Sequence, residues 1–173
     1  KTKENQLRLL EAKKSIKIRL SKPEDTKAIL EVHYDAVHHI ASKDYNKQIL
    51  NDWSPPVTAK RIIDYKKKLG KNEVTIVAEI GKNIVGFGKI VLEKNEIRAI
   101  YVSTKTKRKG VGTALLMKLE EIAKEKSIKK LNLESSITAE KFYNKNGYKN
   151  LEYRYFTLKT GRKMRSVKMI KKL

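Results

Sequence analysis

The 173-residue sequence contains no cysteine, which excludes disulfide bonds, a cysteine nucleophile and cysteine-ligated zinc. No apolar run approaches the roughly 20 residues that span a bilayer, and no secretory signal pattern is visible. The lack of cysteine also permits a reducing compartment. We therefore expect a cytoplasmic protein that does not associate with membranes.

Acidic residues are scarce relative to basic ones. The sequence has 19 Asp and Glu residues against 41 Lys and Arg residues, and the net charge is +22. Such a charge attracts polyanions and predicts nonspecific nucleic-acid binding that salt removes. The lysines are spread along the whole chain, however. Their use as the ordinary surface residue is therefore the favoured explanation, and it requires no partner.

The sequence indicates one domain with a short N-terminal extension. Hydrophobic residues make up 39% of the sequence, which is enough for a core, and no repeat or linker divides it. We assign residues 1–15 to an N-terminal extension that is either helical or frayed. Residues 16–173 form a single domain.

Two periodicities alternate along this domain. Apolar residues at helical spacing predict helices over 21–40, 47–56, 57–70, 111–126 and 138–147, with Gly70 and Gly147 as terminators. Alternating or β-rich runs predict strands over 16–20, 73–80, 84–92, 96–103, 128–134, 148–158 and 165–170. The turns "GKN" and "EKN" join the second, third and fourth strands into an antiparallel meander. The order of elements predicts a mixed α/β domain with one central sheet.

The stretch "KTKRKGVGTALL" (residues 105–116) places four cations beside two glycines, between a strand and an amphipathic helix. A helix N-terminus carries unpaired backbone N–H groups and the positive end of the helix dipole. Gly110 and Gly112 have no side chain that would keep a ligand from this backbone. The stretch predicts a pyrophosphate site, although the GxxxxGK[ST] and GxGxxG patterns are both absent. A glycine-rich turn with solvated lysines is the alternative.

Two motifs resemble the GNAT superfamily of acetyl-CoA-dependent N-acetyltransferases. "KRKGVG" (residues 107–112) is similar to the family's pyrophosphate loop, Gln/Arg-x-x-Gly-x-Gly/Ala, with Lys107 at the first position. "ITAEKFYNKNGYK" (residues 137–149) is similar to a second family signature. Its matching residues are Ala139, Phe142, Tyr143, Lys145, Gly147 and Tyr148. The resemblance implies the GNAT fold, a single mixed and mostly antiparallel sheet flanked by helices.

The resemblance also implies a reaction. An acetyl group would pass directly from acetyl-CoA to a primary amine in a ternary complex, and without cysteine no thioester intermediate on the enzyme is available. The family places its proton donor at the position of Tyr143, and several members carry a catalytic base at the position of Glu96. Packing in the core is the alternative for Tyr143. An ordinary polar strand start is the alternative for Glu96, with water relaying the proton.

The same resemblance assigns contacts to acetyl-CoA. The backbone at the end of the strand before the loop would pair with the pantetheine arm, and the Val102 N–H could face the thioester carbonyl. Ser136 stands where the family often has a cofactor-binding Asn. The cofactor-binding residues implied are Ile100, Tyr101, Val102, Lys107, Arg108, Lys109, Gly110, Val111, Gly112, Thr113, Ser136 and Tyr143.

The acceptor is not identified by the sequence. A polyamine, an amino acid, an aminoglycoside-like amine, a peptide N-terminus and a lysine side chain all remain open. A cationic acceptor would need a local acidic pocket, for which Asp44, Asp52 and Glu96 are candidates. Trp53 is either part of the acceptor wall or a buried cap over the helices. His33, His38 and His39 lack a metal-binding spacing, so no metal site is expected.

Two other functions compete with acetyl transfer. A nucleic-acid-binding module on the same fold would explain the net charge directly, but no recognised nucleic-acid motif supports it. A non-catalytic acetyl-CoA sensor is the other alternative, and the presence of Tyr143 argues against it. A homodimer is left open.

Overall fold

The computed structural model describes residues 3, 4, 6, 15–106 and 110–173, so most of the predicted extension 1–15 lies outside the described residues. The strands are β1 (Ile16–Leu20), β2 (Val74–Ile80), β3 (Asn83–Val91), β4 (Glu96–Val102), β5 (Lys130–Ser136), β6 (Lys149–Thr157) and β7 (Lys163–Lys172). The helices are α1 (Thr26–Ile40), α2 (Lys47–Trp53), α3 (Ala59–Lys66), α4 (Val111–Glu125) and α5 (Glu140–Lys145). A 3-10 turn, Pro23–Asp25, leads into α1.

The seven strands form one mixed sheet in the order β1-β2-β3-β4-β5-β7-β6. Strands β2, β3 and β4 are the predicted antiparallel meander. Every neighbouring pair is antiparallel except β4 and β5, which are parallel. The prediction of a single, mostly antiparallel sheet flanked by helices is confirmed.

Helix α4 packs closely on one face of the sheet because β3 carries two glycines. A Cβ atom on Gly86 would lie 3.1 Å from the Leu115 side chain, and one on Gly88 would lie 3.0 Å from that of Leu119. Both leucines are fully buried in the larger core cluster. On the opposite face, α1 buries Ile29 against the sheet in a separate cluster. The sheet is therefore covered on both faces.

Several elements differ in length from the sequence prediction. Helices α1, α2 and α5 are shorter than predicted, and contacts explain the differences at three further elements. Helix α3 ends at Lys66 rather than at Gly70, which adopts a φ of 75° in the turn before β2. Residues 66–68 are exposed, so no apolar contact extends the helix. Strand β5 continues to Ser136 because each of its residues pairs with one of β7. Strand β7 spans Lys163–Lys172 because its first residues also pair with β6.

A buried ion pair joins α4 to β7 and gives a stability prediction. Lys171 Nζ lies 2.8 Å from Oε1 and 3.0 Å from Oε2 of Glu120, whose residue is 8% exposed. Lys171→Met leaves that carboxylate without its partner. We expect the free energy of unfolding to fall by about 2–3 kcal/mol, somewhat less than for a fully buried pair.

Chemical denaturation of the Lys171→Met variant measures this loss. Lys172→Met is the matched control, because Lys172 is the next residue and is exposed. It should change stability by no more than about 0.5 kcal/mol. Equal losses in the two variants would show that the contact between Lys171 and Glu120 is not the cause.

Candidate functional site

The sheet opens between β4 and β5. The two strands pair only at Glu96 with Asn132 and at Ile97 with Leu133. Beyond these pairs β4 runs on to Val102, while β5 continues along β7 instead. The edge of β4 over residues 98–102 is therefore not covered by β5, and its backbone groups can pair with an extended ligand.

A β-bulge lies where the two strands separate. Lys89 of β3 pairs with Ala99, but the next residue, Ile90, pairs with Ile97, so Arg98 is an extra residue in β4. A bulge bends its strand and increases the local twist. It lies at the point where the pairing of β4 with β5 ends.

The backbone of β4 presents alternate residues to this open edge. The Ser103 N–H donates to the Val85 carbonyl at 2.8 Å, on the side of β3. Backbone groups alternate in direction along a strand. The N–H and C=O groups of Ile100 and Val102 therefore point toward the uncovered side, as the expected contact with a pantetheine arm requires.

The separation of β4 and β5 creates a cavity of 640 Å³, which we call the splay cleft. It is bounded by residues 96–101 of β4, 134–136 of β5, Tyr143 of α5 and 154–157 of β6. Five of the sequence-predicted site residues meet in its lining: Glu96, Ile100, Tyr101, Ser136 and Tyr143.

Tyr143 lies in the core and at the cleft at the same time. It is 6% exposed, and its ring contacts those of Phe142 and Tyr148 at centroid distances of 5.1 and 5.7 Å. Burial raises the pKa of the Tyr143 hydroxyl above its ordinary value. The group is therefore protonated throughout the neutral pH range and can donate a proton into the cleft.

Glu96 is at the closed end of the splay cleft, beside the bulge. Its Oε1 accepts hydrogen bonds from Arg98, with the Nε atom at 2.9 Å and an Nη atom at 2.8 Å. Both contacts use the same oxygen. A proton from an acceptor amine or a water molecule would therefore have to reach Oε2.

A second carboxylate in the cleft, Glu134, was not predicted from the sequence. Arg154 donates to both of its oxygens at 2.7–3.1 Å, and the Ser166 hydroxyl donates at 2.8 Å. Burial alone would raise the pKa of Glu134, but these hydrogen bonds outweigh it and leave the pKa below its ordinary value. Glu134 is therefore a stable anion with fixed partners. The alternation in "LNLESS" (residues 131–136) could have indicated this residue, because it puts Asn132, Glu134 and Ser136 on one face of β5.

The first turn of α4 has the properties of an anion site. Gly110 adopts a φ of 88°, and a Cβ atom placed on it would meet no atom within 4 Å. The first helical hydrogen bond runs from the Ala114 N–H to the Gly110 carbonyl. The N–H groups of Val111, Gly112 and Thr113 thus have no acceptor within the helix. The expected contributions of Lys107, Arg108 and Lys109 lie outside the described residues.

Glycine is needed at residue 112 for a different reason than at residue 110. A Cβ atom at residue 112 would lie 3.2 Å from the ring of Phe142. The absence of a side chain lets α4 pack against α5, and so the two sequence motifs contact each other at this point. Ser136 also has a local role, since its hydroxyl accepts a hydrogen bond from the Ala139 N–H at 3.2 Å.

Asp35 of α1 secures the segment that follows β4, and the sequence did not indicate this. Its carboxylate accepts from the Thr104 N–H at 2.6 Å and from the Thr104 hydroxyl at 2.8 Å. Burial opposes the charge, but these bonds lower the pKa of Asp35 overall. The chain therefore enters the loop before α4 from a fixed position.

A second cavity of 660 Å³ lies between α1, α3 and strands β3 and β4, and we call it the cationic cleft. It shares Trp53, Arg98, Ala99 and Tyr101 with the splay cleft. The Trp53 and Tyr101 rings are 6.2 Å apart. Trp53 thus forms part of a wall common to both clefts, in addition to packing in the core.

The three histidines have protein partners. Burial lowers the pKa of His33 to about 3, so its ring is neutral, and its Nδ1 lies 2.9 Å from the Ser54 hydroxyl. His38 contacts the Ser54 carbonyl at 2.8 Å, and His39 contacts Asp35. In the described ranges, no three His, Cys, Asp or Glu side chains are grouped so that they could hold a metal.

The suggested acidic pocket is not formed. The Thr138 hydroxyl donates to Asp44 at 2.7 Å, and Arg162 donates to Asp52 at 2.7 Å. Of the three candidate carboxylates, only Glu96 lines a cleft. The structure therefore offers no support for a cationic acceptor.

Within the described residues, no helix has the length and apolar character needed to cross a membrane.

Comparisons with known proteins point to one family. Residues 41–172 match the family model of the GNAT acetyltransferase domain. An uncharacterized N-acetyltransferase of Escherichia coli, YafP, is 30% identical over 138 residues, which cover 80% of this chain and 84% of the relative.

Solved structures show the same fold. A GCN5-related N-acetyltransferase from Rhodopseudomonas palustris has a TM-score of 0.82 at 21% identity, covering 92% of this chain and 96% of its own. The PaiA N-acetyltransferase of Thermoplasma acidophilum, solved with coenzyme A, has a TM-score of 0.70 at 20% identity, covering 92% and 99%.

Proposed function

Since the chain belongs to the GNAT acetyltransferase family, we propose that it transfers the acetyl group of acetyl-CoA to a primary amine by direct attack in a ternary complex. The observation that carries the proposal is the uncovered edge of β4, which opens beside Tyr143. This edge ends at Val102, whose side chain lies 3.7 Å from the Cβ position of Gly112 in the first turn of α4. Acetyl-CoA supplies the activated acetyl group as a thioester.

The residues that would hold acetyl-CoA follow from this geometry. The backbone groups of Ile100 and Val102 would pair with the pantetheine arm, with the Val102 N–H available to an oxyanion. The N–H groups of Val111, Gly112 and Thr113 would receive the pyrophosphate. Lys107, Arg108 and Lys109 would add charge beside it, and Ser136 and Tyr101 would border the arm.

Two proton transfers remain for the side chains. An alkylamine has a pKa near ~10, so most of it is protonated at pH 7 and must lose a proton before it attacks. Glu96 would accept that proton through Oε2, directly or through water. The Tyr143 hydroxyl would donate a proton to the departing thiolate. The second proton, which the amine nitrogen loses after it has attacked, would return to the Tyr143 phenolate through water.

Amine-dependent release of free thiol tests the proposed function. We expect CoA to be released from acetyl-CoA only when a primary amine is present, across a panel of amino acids, peptides, neutral amines and polyamines. The N-acetylated form of each amine is its control, because it has the same body but no nucleophile. Tight binding of acetyl-CoA without amine-dependent release from any member would indicate the sensor instead.

Nonspecific nucleic-acid binding remains a prediction from the net charge of +22. This binding would involve the whole basic surface and not the two clefts. It should be lost when the salt concentration rises from low to moderate.

A further inference from the structure

The cationic cleft carries a local excess of positive charge. Six cationic side chains and one carboxylate, that of Asp64, line it. Three of the cations are ion-paired at 2.8 Å, in Lys60–Asp64, Lys89–Glu73 and Arg98–Glu96. The other three, Arg61, Lys68 and Lys159, have no carboxylate partner among the described residues. The cleft therefore has more positive charge than its own acids neutralise.

The neighbouring splay cleft is different, although it belongs to the same highly basic protein. Its two arginines, Arg98 and Arg154, are both paired, with Glu96 and Glu134 respectively. A general excess of surface lysine would not separate the two clefts in this way. Of the two clefts, only the cationic cleft contains cations without a carboxylate partner among the described residues.

Arg61 is the least exposed of the three cations without a carboxylate partner. One terminal nitrogen of its half-buried guanidinium donates to the Pro55 carbonyl, and the other lies 3.4 Å from His33 Nδ1. His33 is neutral and brings no compensating charge. A guanidinium has five N–H donors, so others remain available to a ligand. A half-buried cation without a counter-ion is unfavourable, and an anionic ligand would remove that cost.

The other two cations come from separate segments. Lys68 is in the turn after α3, and Lys159 is in the turn between β6 and β7. This second turn is held to α2, because Asp52 accepts from Thr160 at 2.9 Å and from Arg162 at 2.7 Å. The fold thus brings cations from distant parts of the chain to one cleft.

We propose that the amine acceptor carries an anionic group, a carboxylate or a phosphate, that binds Arg61 in the cationic cleft with help from Lys159 and Lys68. Its amine then reaches the wall shared by the two clefts, at Ala99 and Tyr101, where the acetyl group would be presented. The inference rests on the proposed acetyl transfer and names its class of substrate. It excludes a polyamine as the preferred acceptor.

Matched acceptor pairs test this inference at saturating acetyl-CoA, with thiol release as the readout. The pairs are β-alanine and its amide, O-phosphoethanolamine and ethanolamine, and a peptide with acidic residues after its N-terminus and its Gln counterpart. We expect the anionic member of at least one pair to have a kcat/KM at least about tenfold higher. The pair that responds distinguishes a carboxylate from a phosphate.

Arg61→Gln should raise KM for the anionic member by about 10- to 100-fold and leave the neutral member within about twofold, with kcat nearly unchanged. Lys66→Gln is the matched control, since it removes a charge from the same helix outside the cleft. Lys159→Gln, on an exposed turn, is a second variant that tests the site if Arg61→Gln fails to fold. Calorimetry of the anionic amine with the CoA-saturated protein gives a readout independent of turnover.

The outcomes separate the inference from the proposed function. Equal kcat/KM values within every pair, or equal losses for both members in Arg61→Gln, would overturn the anionic acceptor and leave acetyl transfer standing. A preference for polyamines would also overturn it. Thiol release with no amine at all would contradict the proposed function itself.

Discussion

Tyr143→Phe should lower kcat by about 10²-fold or more, while the Kd for acetyl-CoA changes by less than about threefold. The Tyr143 hydroxyl would donate to the thiolate only as it departs, so its loss affects the transition state and not ground-state binding. Phenylalanine keeps the ring contacts of Tyr143 with Phe142 and Tyr148, so the substitution should leave stability nearly unchanged. Steady-state kinetics, calorimetry and a thermal melt measure the three quantities.

Two further measurements make the result specific to proton donation. A donor with a more acidic leaving thiol needs less protonation, so it should rescue Tyr143→Phe more than the wild type. Because burial raises the pKa of Tyr143 above its ordinary value, the hydroxyl stays protonated throughout pH 7–9. The wild-type kcat should therefore show no falling limb from this group at pH 7–9.

Tyr148→Phe is the matched control for Tyr143→Phe. Tyr148 belongs to the same motif and packs against Tyr143 with its rings 5.7 Å apart, but it does not line either cleft. Its hydroxyl is buried without a hydrogen-bond partner in the described residues, so its removal should not reduce activity. A near-normal kcat in Tyr143→Phe would show that the departing thiolate receives its proton from solvent and that Tyr143 only packs in the core.

Gly110→Glu should raise the Kd for CoA by about 10²-fold. Residue 110 faces open space at the N-terminus of α4, where the pyrophosphate is expected. A carboxylate about 5 Å from it would oppose binding by about 3 kcal/mol at an effective dielectric constant of about 20. Calorimetric titration with CoA measures the change.

Two controls separate charge from backbone strain in this experiment. Gly110→Gln has the same size and the same unfavourable positive φ but no charge, so it should bind CoA far better than Gly110→Glu. Gly81→Glu places a carboxylate at another open glycine with positive φ, in the turn between β2 and β3, and should bind normally. Undiminished CoA binding by Gly110→Glu would show that the pyrophosphate does not bind at the first turn of α4.

Local features of the molecule could be predicted from the sequence. The order of helices and strands, the antiparallel meander and the family itself followed from periodicity and from two short motifs. Tyr143 and Gly110 could be named for the same reason, since each belongs to a motif of about ten neighbouring residues. Whether Tyr143 packs in the core or lines a cleft could not be decided, and in the structure it does both.

The features that decide the site depend on contacts between residues far apart in the chain. The sequence placed β4 and β5 in one sheet, but only their register shows that they separate after Ile97 and Leu133. Gly112 is glycine because of Phe142, thirty residues later, and Glu134 is held by Arg154 of a different strand. The sequence by itself determined the basic character of the protein. Which cations lack a partner is decided by the tertiary structure, because ion pairing depends on distances of a few ångströms that folding alone establishes.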